Sequence, residues 1–378
     1  MTVSPDFKLF GNHLIAGISG TKLNDDDKRI LSTLKPVGVI FFAKNFQDGV
    51  PYEVWLETYK NLLQQVREYS DRPNLFITID HEGGRVIRPP LPITRFPYAF
   101  LQRQLANEVG KATAIELKSL GINVSWAPVA DIFSNPQNPI IATRAFGTTP
   151  EAAAQGAIEY YLGLKDNGIL ACAKHFPGHG DTSKDSHLEL PMLDLSQEEL
   201  QSRELIPFKA LIDKQIPLIM TAHILFPQID TQVPATLSYP ILQTILREKL
   251  RFEGVVVSDD LDMKAVSQMF MESGTVARAV NAGCDLFIVS RNINSLSVER
   301  TFAIAQDYIS CLANGALKES VAEASRIRIN KLLAQTPQYT VEKLSQDTFK
   351  RHGELAIACS FQDLQLPESL IVPVINEM

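Results

Sequence analysis

Apolar positions concentrate in eight short runs along the chain: HLIAGI from His13, VGVIFF from Val37, LFITI from Leu75, INVSWA from Ile122, ILACA from Ile169, PLIMTA from Pro217, GVVVS from Gly254 and DLFIV from Asp285. Each run is followed by a stretch with helical spacing. After the second run, Trp55, Tyr59, Leu62, Leu63 and Val66 fall on one helix face, which should pack against the strands. Thr149 before Pro150 marks a helix start with proline at the first helical position, and Ser196 with Glu199 spells a capping box. Eight strands alternating with helices predict an α/β fold, a single (β/α)8 TIM-type barrel. An open doubly wound sheet is the alternative, because periodicity does not distinguish a closed sheet from an open one.

The pattern holds to about Gln335, so the barrel is expected over residues 1–335 and a short C-terminal helical tail over 336–378. In the tail, Val341 to Cys359 reads as one more helix, and the final LQLPESLIVPVINEM, apolar and punctuated by proline, as a segment docked on the barrel.

Composition narrows the class of partner. The chain has 378 residues, 45% of them apolar, enough for one large core. A net charge of −7 with no Lys/Arg-rich run shows no footprint for nucleic acid or an anionic membrane. No run of about 18 apolar residues suggests a span, and the start of the chain does not resemble a signal peptide. Cys172, Cys284, Cys311 and Cys359 form no C-x-x-C pair, which fits a reducing compartment. The expectation is a cytoplasmic protein, a monomer or weak oligomer, acting on a small molecule.

In such a barrel, chemistry sits at the C-terminal ends of the strands. Strand three ends in ITIDHEGGRVIR (Asp80, His81, Glu82, Gly83, Gly84, Arg85, Arg88), strand five in AKHFPGHGDTSKDSH (Lys174 to His187), strand six in TAHILF (His223) and strand seven in SDDLDMKA (Asp259, Asp260, Asp262). Five of the seven histidines lie there, a clustering that scattered core or surface histidines would not produce. The stretch His175 to Leu195 has no periodicity and reads as a mobile active-site loop, or as a merely solvated one. Within it, Asp185 and His187 stand one residue apart. An extended chain puts both on one side, where the carboxylate could orient the imidazole as a proton donor. Asp259 ends a buried strand and should point into the barrel mouth, unless it caps a helix. Asp260 and Asp262 are more simply helix-capping residues. Asp80, Arg88, Arg144, Lys174 and His175 would make a polar rim suited to a polyhydroxylated ligand, or salt bridges at the barrel mouth. Gly83 and Gly84 read as turn residues.

These residues resemble glycoside hydrolase family 3, most closely its single-domain β-N-acetylglucosaminidases of peptidoglycan recycling, the NagZ type. KHFPGHGDTSKDSH from Lys174 is the specific match, and DHEGGRV, TRAFG, TAH and SDDLDM appear in the family's order, from about Leu14 to Gln335. The resemblance implies a retaining double displacement with Asp259 as nucleophile and His187, in a dyad with Asp185, as acid/base. It also implies that Asp80, Arg88, Arg144, Lys174 and His175 hold a terminal N-acetylglucosamine of a muropeptide fragment, with no metal or organic cofactor. An imidazole suits the acid/base role because its ordinary pKa, ~6.5, lies near neutral pH. His81 stands where the family more often has Gln, and PPLPITRFP after Arg88 could reshape the pocket edge. Many relatives carry a second α/β domain, and RHGELAIACS resembles the helix leading into it.

Three rival functions remain open at this point. His175, His179, Asp181, Asp185 and His187 could in isolation ligate a metal. The fold could serve a non-catalytic sensor of peptidoglycan fragments, against which the intact Asp259, Asp185 and His187 argue. A phosphorylase of the same family is the third, since a neutral histidine repels an incoming phosphate less than a carboxylate would.

Overall fold

The computed structural model describes residues 6–182, 190–292 and 298–360. Eight parallel strands close into a barrel in sequence order: β1 (Leu14–Gly17), β2 (Gly38–Phe41), β3 (Phe76–Ile79), β4 (Val124–Ser125), β5 (Leu170–Phe176), β6 (Leu218–Thr221), β7 (Val255–Asp260) and β8 (Leu286–Val289). Pairing of Leu14 with Phe287 closes the ring, which settles the choice between barrel and open sheet. Each of the eight apolar runs holds a strand, and β5 and β7 extend past the ends of theirs. The fourth keeps only two ladder residues, although Trp126 N–H still donates to the Ile79 carbonyl of β3.

Side-chain alternation divides the strands between two layers. Ile15, Ile40, Phe76, Val124, Cys172, Leu218, Val255, Val257, Leu286 and Ile288 fill the barrel interior. Their neighbours Leu14, Val39, Ile77, Ala171, Ile219, Val256 and Phe287 pack outward against the helices. The helix Tyr52–Ser70 buries Trp55, Tyr59, Leu62, Leu63 and Val66, the face its spacing predicted. Thr149 accepts a hydrogen bond from the Ala152 N–H ahead of Pro150, and Ser196 and Glu199 cap each other reciprocally. Ile329 and Leu333, from the helix Glu319–Gln335, join the interior cluster. No helix among the described residues is long and apolar enough to cross a membrane.

Two expectations change. β5 runs seven residues, to Phe176, so His175 belongs to a strand rather than to a loop. Residues Pro177 to Gly180 after it are buried, not solvated. The tail helix spans Gln346–Ser360, whereas Val341 bridges Leu120 in an extended stretch. The final segment, from Leu364, lies outside the described residues.

Candidate active site

The strand alternation that fills the core also builds the site. On β3, Phe76 and Thr78 point inward, so Asp80 and Glu82 continue that face into the mouth while His81 turns to the helix layer. On β7, Val255 and Val257 point inward, and so does Asp259. On β5 the register with β6 shifts between Ala173 and Phe176, and consecutive residues Lys174 and His175 both reach the same cavity. That cavity, about 410 Å³, also takes in Arg85, Arg88, Arg144 and His179. Gly83 and Gly84, both at positive φ, turn the chain between Glu82 and Arg85; a Cβ on Gly83 would collide with the Pro97 carbonyl and Gln102.

Charge within the wall is closely paired. Lys174 Nζ lies 2.9 Å from Asp80 Oδ1 and 2.6 Å from Glu82 Oε1. Arg144 meets Glu82 in a fork, Nε to Oε2 and Nη2 to Oε1, each at 2.8 Å. Burial alone would raise the Glu82 carboxyl, but Arg144 and Lys174 outweigh it and hold the group far below its ordinary range. Burial works against the Lys174 charge, yet Asp80 and Glu82 raise it. Arg88 lies over the Phe42 ring at 5.5 Å, with Nη2 3.5 Å from Asp80 Oδ2.

His175 is fixed from behind. Its Nδ1 donates to Asp131 Oδ2 at 2.7 Å, and the backbone N–H groups of His175 and His179 also donate to that carboxylate. Because a carboxylate only accepts, Nδ1 carries a proton and Nε2 is the ring atom that remains for a ligand. His179, buried next to His175, has its pKa pushed down to about 4, so it is a neutral side chain near pH 7.

Asp259 accepts the N–H of Asp260 at 2.7 Å. Burial would raise its pKa, but His175, His223, that N–H and Lys174 together lower it, so it is an anion ready to act as one. His223 does not line the cavity. Its Nδ1 pairs with Thr236 Oγ1 at 2.8 Å, and its Nε2 donates to the Asp260 carbonyl at 3.3 Å, pinning the end of β7. Asp260 and Asp262 are not helix caps: the next helix, Lys264–Ser267, starts after Met263. Instead Asp260 accepts from the N–H groups of Asp262 and Ser290 and from the Ser290 hydroxyl, while Asp262 takes the Arg291 N–H and Arg300.

Asp80, Arg88, Arg144, Lys174, His175 and Asp259 therefore meet in one cavity. Asp185 and His187 lie outside the described residues. Asp181, one residue of the metal reading, turns to Arg203 at 2.7 Å. Sequence reasoning assigned no role to Glu82, although it quoted the residue, and overlooked Asp131. Asp131 stands in APVADIF, just past the fourth strand, so the strand-end rule applied to strands three, five and seven would have found it.

The model of the glycosyl hydrolase family 3 N terminal domain matches residues 8–332. A β-hexosaminidase from Methylococcus capsulatus is 35% identical over 321 residues, spanning 82% of this chain and 91% of that protein. Among solved structures, a family 3 β-N-acetylglucosaminidase from Paenibacillus sp. FPU-7 superposes with a TM-score of 0.82 at 33% identity, over 95% of this chain and 68% of that one. NagZ from Neisseria gonorrhoeae, in complex with N-trifluoroacetyl-D-glucosamine, does so with a TM-score of 0.72 at 29% identity, over 92% and 97%.

Proposed function

The chain belongs to glycosyl hydrolase family 3 as a β-hexosaminidase, and we propose that it removes terminal N-acetylglucosamine from peptidoglycan fragments by a retaining double displacement. Asp259 attacks the anomeric carbon as the bond to the leaving oxygen breaks, and His187, oriented by Asp185, donates a proton to that oxygen. Water then attacks the glycosyl-enzyme while His187 takes its proton, which frees the sugar and restores the carboxylate. Asp80, Arg88, Arg144, Lys174 and His175 hold the sugar. Asp80 accepts from hydroxyls, while the cations and His175 present donors or a lone pair.

One observation carries this reading: Asp259, kept anionic by its surroundings, faces a wall of paired cations and carboxylates across a cavity of about 410 Å³, a size suited to a sugar. The peptidoglycan substrate and the roles of His187 and Asp185 rest on the motif from Lys174 to His187. A cytoplasmic location belongs to the same reading, and four buried, unpaired cysteines support it.

The test is to assay nitrophenyl β-N-acetylglucosaminide and β-glucoside side by side. A site built to hydrogen-bond the acetamido group should favour the first by on the order of 10²-fold or more in kcat/KM. Equal rates would sink the substrate assignment.

A further inference from the structure

The pocket edge that carries Arg88 is tied to the far end of the chain. Six residues beyond Arg88, the Thr94 backbone N–H donates to Glu116 Oε2 at 2.8 Å, and the Thr94 hydroxyl donates to Glu116 Oε1 at 2.5 Å. Glu116 projects from the helix Ala106–Ser119 and is completely buried. Its third partner is His352 on the tail helix Gln346–Ser360, whose Nδ1 lies 2.6 Å from Oε1. The tail helix also packs against the short helix Ala99–Gln102. From there Gln102 Nε2 donates to the Glu82 carbonyl at 2.9 Å and to the Pro97 carbonyl at 2.5 Å. Gly84 N–H donates to the Phe96 carbonyl, which joins the two ends of the edge to each other.

A carboxylate out of water must keep its donors, because each one lost leaves an uncompensated charge. Among the described residues Glu116 has three donors: Thr94 supplies two, and His352, buried itself, supplies the third from outside the barrel. Without His352, the deficit has to be met by water entering or by Thr94 moving. Either result loosens the segment from Arg88 to Pro97. The wall of the cavity is thus braced from the tail helix, and among the described residues none of the tail lines the cavity.

We propose that His352, acting through Glu116 and Thr94, is a positioning residue for the sugar site: the tail helix sets the edge that presents Arg88 and so sets ground-state affinity. This rests on the reading of the cavity as the sugar site.

The experiment uses the full chain with His352→Ala, His352→Asn, Thr94→Val and, as a control on the exposed face of the same helix, Lys350→Ala. His352→Ala should raise KM for nitrophenyl β-N-acetylglucosaminide by roughly five- to tenfold with kcat within about twofold, as expected for lost uniform binding. His352→Asn, whose amide nitrogen can occupy the Nδ1 position, should restore most of the affinity, and Lys350→Ala should match the parent. Hydrogen exchange of residues 86–97 should quicken in His352→Ala and Thr94→Val but not in the control. That readout needs no turnover. A parent inactive on both sugars with the exchange coupling present would remove the functional reading alone. Unchanged exchange and unchanged KM in His352→Ala would overturn the brace, and so would a loss that His352→Asn fails to restore.

Discussion

Asp259 and Asp260 are joined by one peptide bond at the end of β7, yet they live in opposite electrostatic worlds. Alternation sends Asp259 into the cavity and Asp260 into the wall between β7 and β8. Around Asp259, the lowering effects of His175, His223, a backbone N–H and Lys174 outweigh burial. Around Asp260, burial acts first and the Asp262 carboxylate adds to it, while Arg300 is engaged by Asp262. The Asp260 carboxyl is accordingly pushed up to about 7. Burial therefore does not decide which carboxylate can be a nucleophile. The neighbours that the strand face selects decide it, and the carboxylate proposed to attack as an anion is surrounded differently from the one that ties two loops together.

The largest test of that contrast is removal of Asp259. Asp259→Ala should lower kcat by about 10⁴-fold or more, since the covalent step would have no nucleophile. Among the described residues its carboxylate accepts a hydrogen bond from the next residue's N–H and no other, so thermal stability should hardly change. A variant retaining a tenth of parental turnover would break the comparison. Next comes Glu82→Gln, which removes the anion shared by Arg144 and Lys174. Arg144 would lose its paired carboxylate and Lys174 one of its two, keeping Asp80, so kcat/KM should fall by roughly 10²-fold and stability by about 3 kcal/mol. The folded Glu82 carboxyl is held below its unfolded value, so its contribution is present above pH 4.5 and shrinks as pH falls. Denaturant melts of parent and variant should thus converge in acid; a gap that stays constant with pH would show that Glu82 matters only by shape.

Much of this could be read before the structure. The eight strands and the helix caps follow from local rules of spacing and turn chemistry, and those rules apply wherever the chain goes. Asp80, Lys174 and Asp259 could be located because each stands at a strand end. What could not be read came from contacts between distant segments. Glu82 matters because Arg144, 62 residues away, reaches it. Asp131 matters because His175 folds onto it from the next strand. Asp260 and Asp262 looked like helix caps because aspartates ahead of a helical pattern usually are. Their partners Ser290, Arg291 and Arg300 come from beyond β8 and leave no local signature. The inclusion of His175 in β5 was hidden for the same reason, since its ladder depends on β6.

The smallest effect expected, and the one that most sharpens the contrast, belongs to Asp260→Asn. In the folded parent this carboxyl titrates near 7, against 3.8 for the ordinary group. Between those values the folded state holds a proton that the unfolded chain has lost. The stability this gives is complete at the acid end and is lost as pH rises through about 7. Above that, the parent must keep a second carboxylate buried beside Asp262. Asparagine does not titrate, and it can meet the same geometry: its oxygen can accept from the N–H groups of Asp262 and Ser290, and its amide can donate to the Ser290 hydroxyl. Relative to the parent, the variant should be about equal at pH 5 and gain on the order of 1 kcal/mol or more by pH 8, with kcat within about tenfold. Urea midpoints for both proteins at pH 5 and pH 8 would measure this. If the variant loses ground as pH rises, Asp260 is a stabilising anion in the folded protein, and the opposition between the two aspartates fails; if its kcat falls as far as that of Asp259→Ala, the chemistry is not confined to the cavity face of β7.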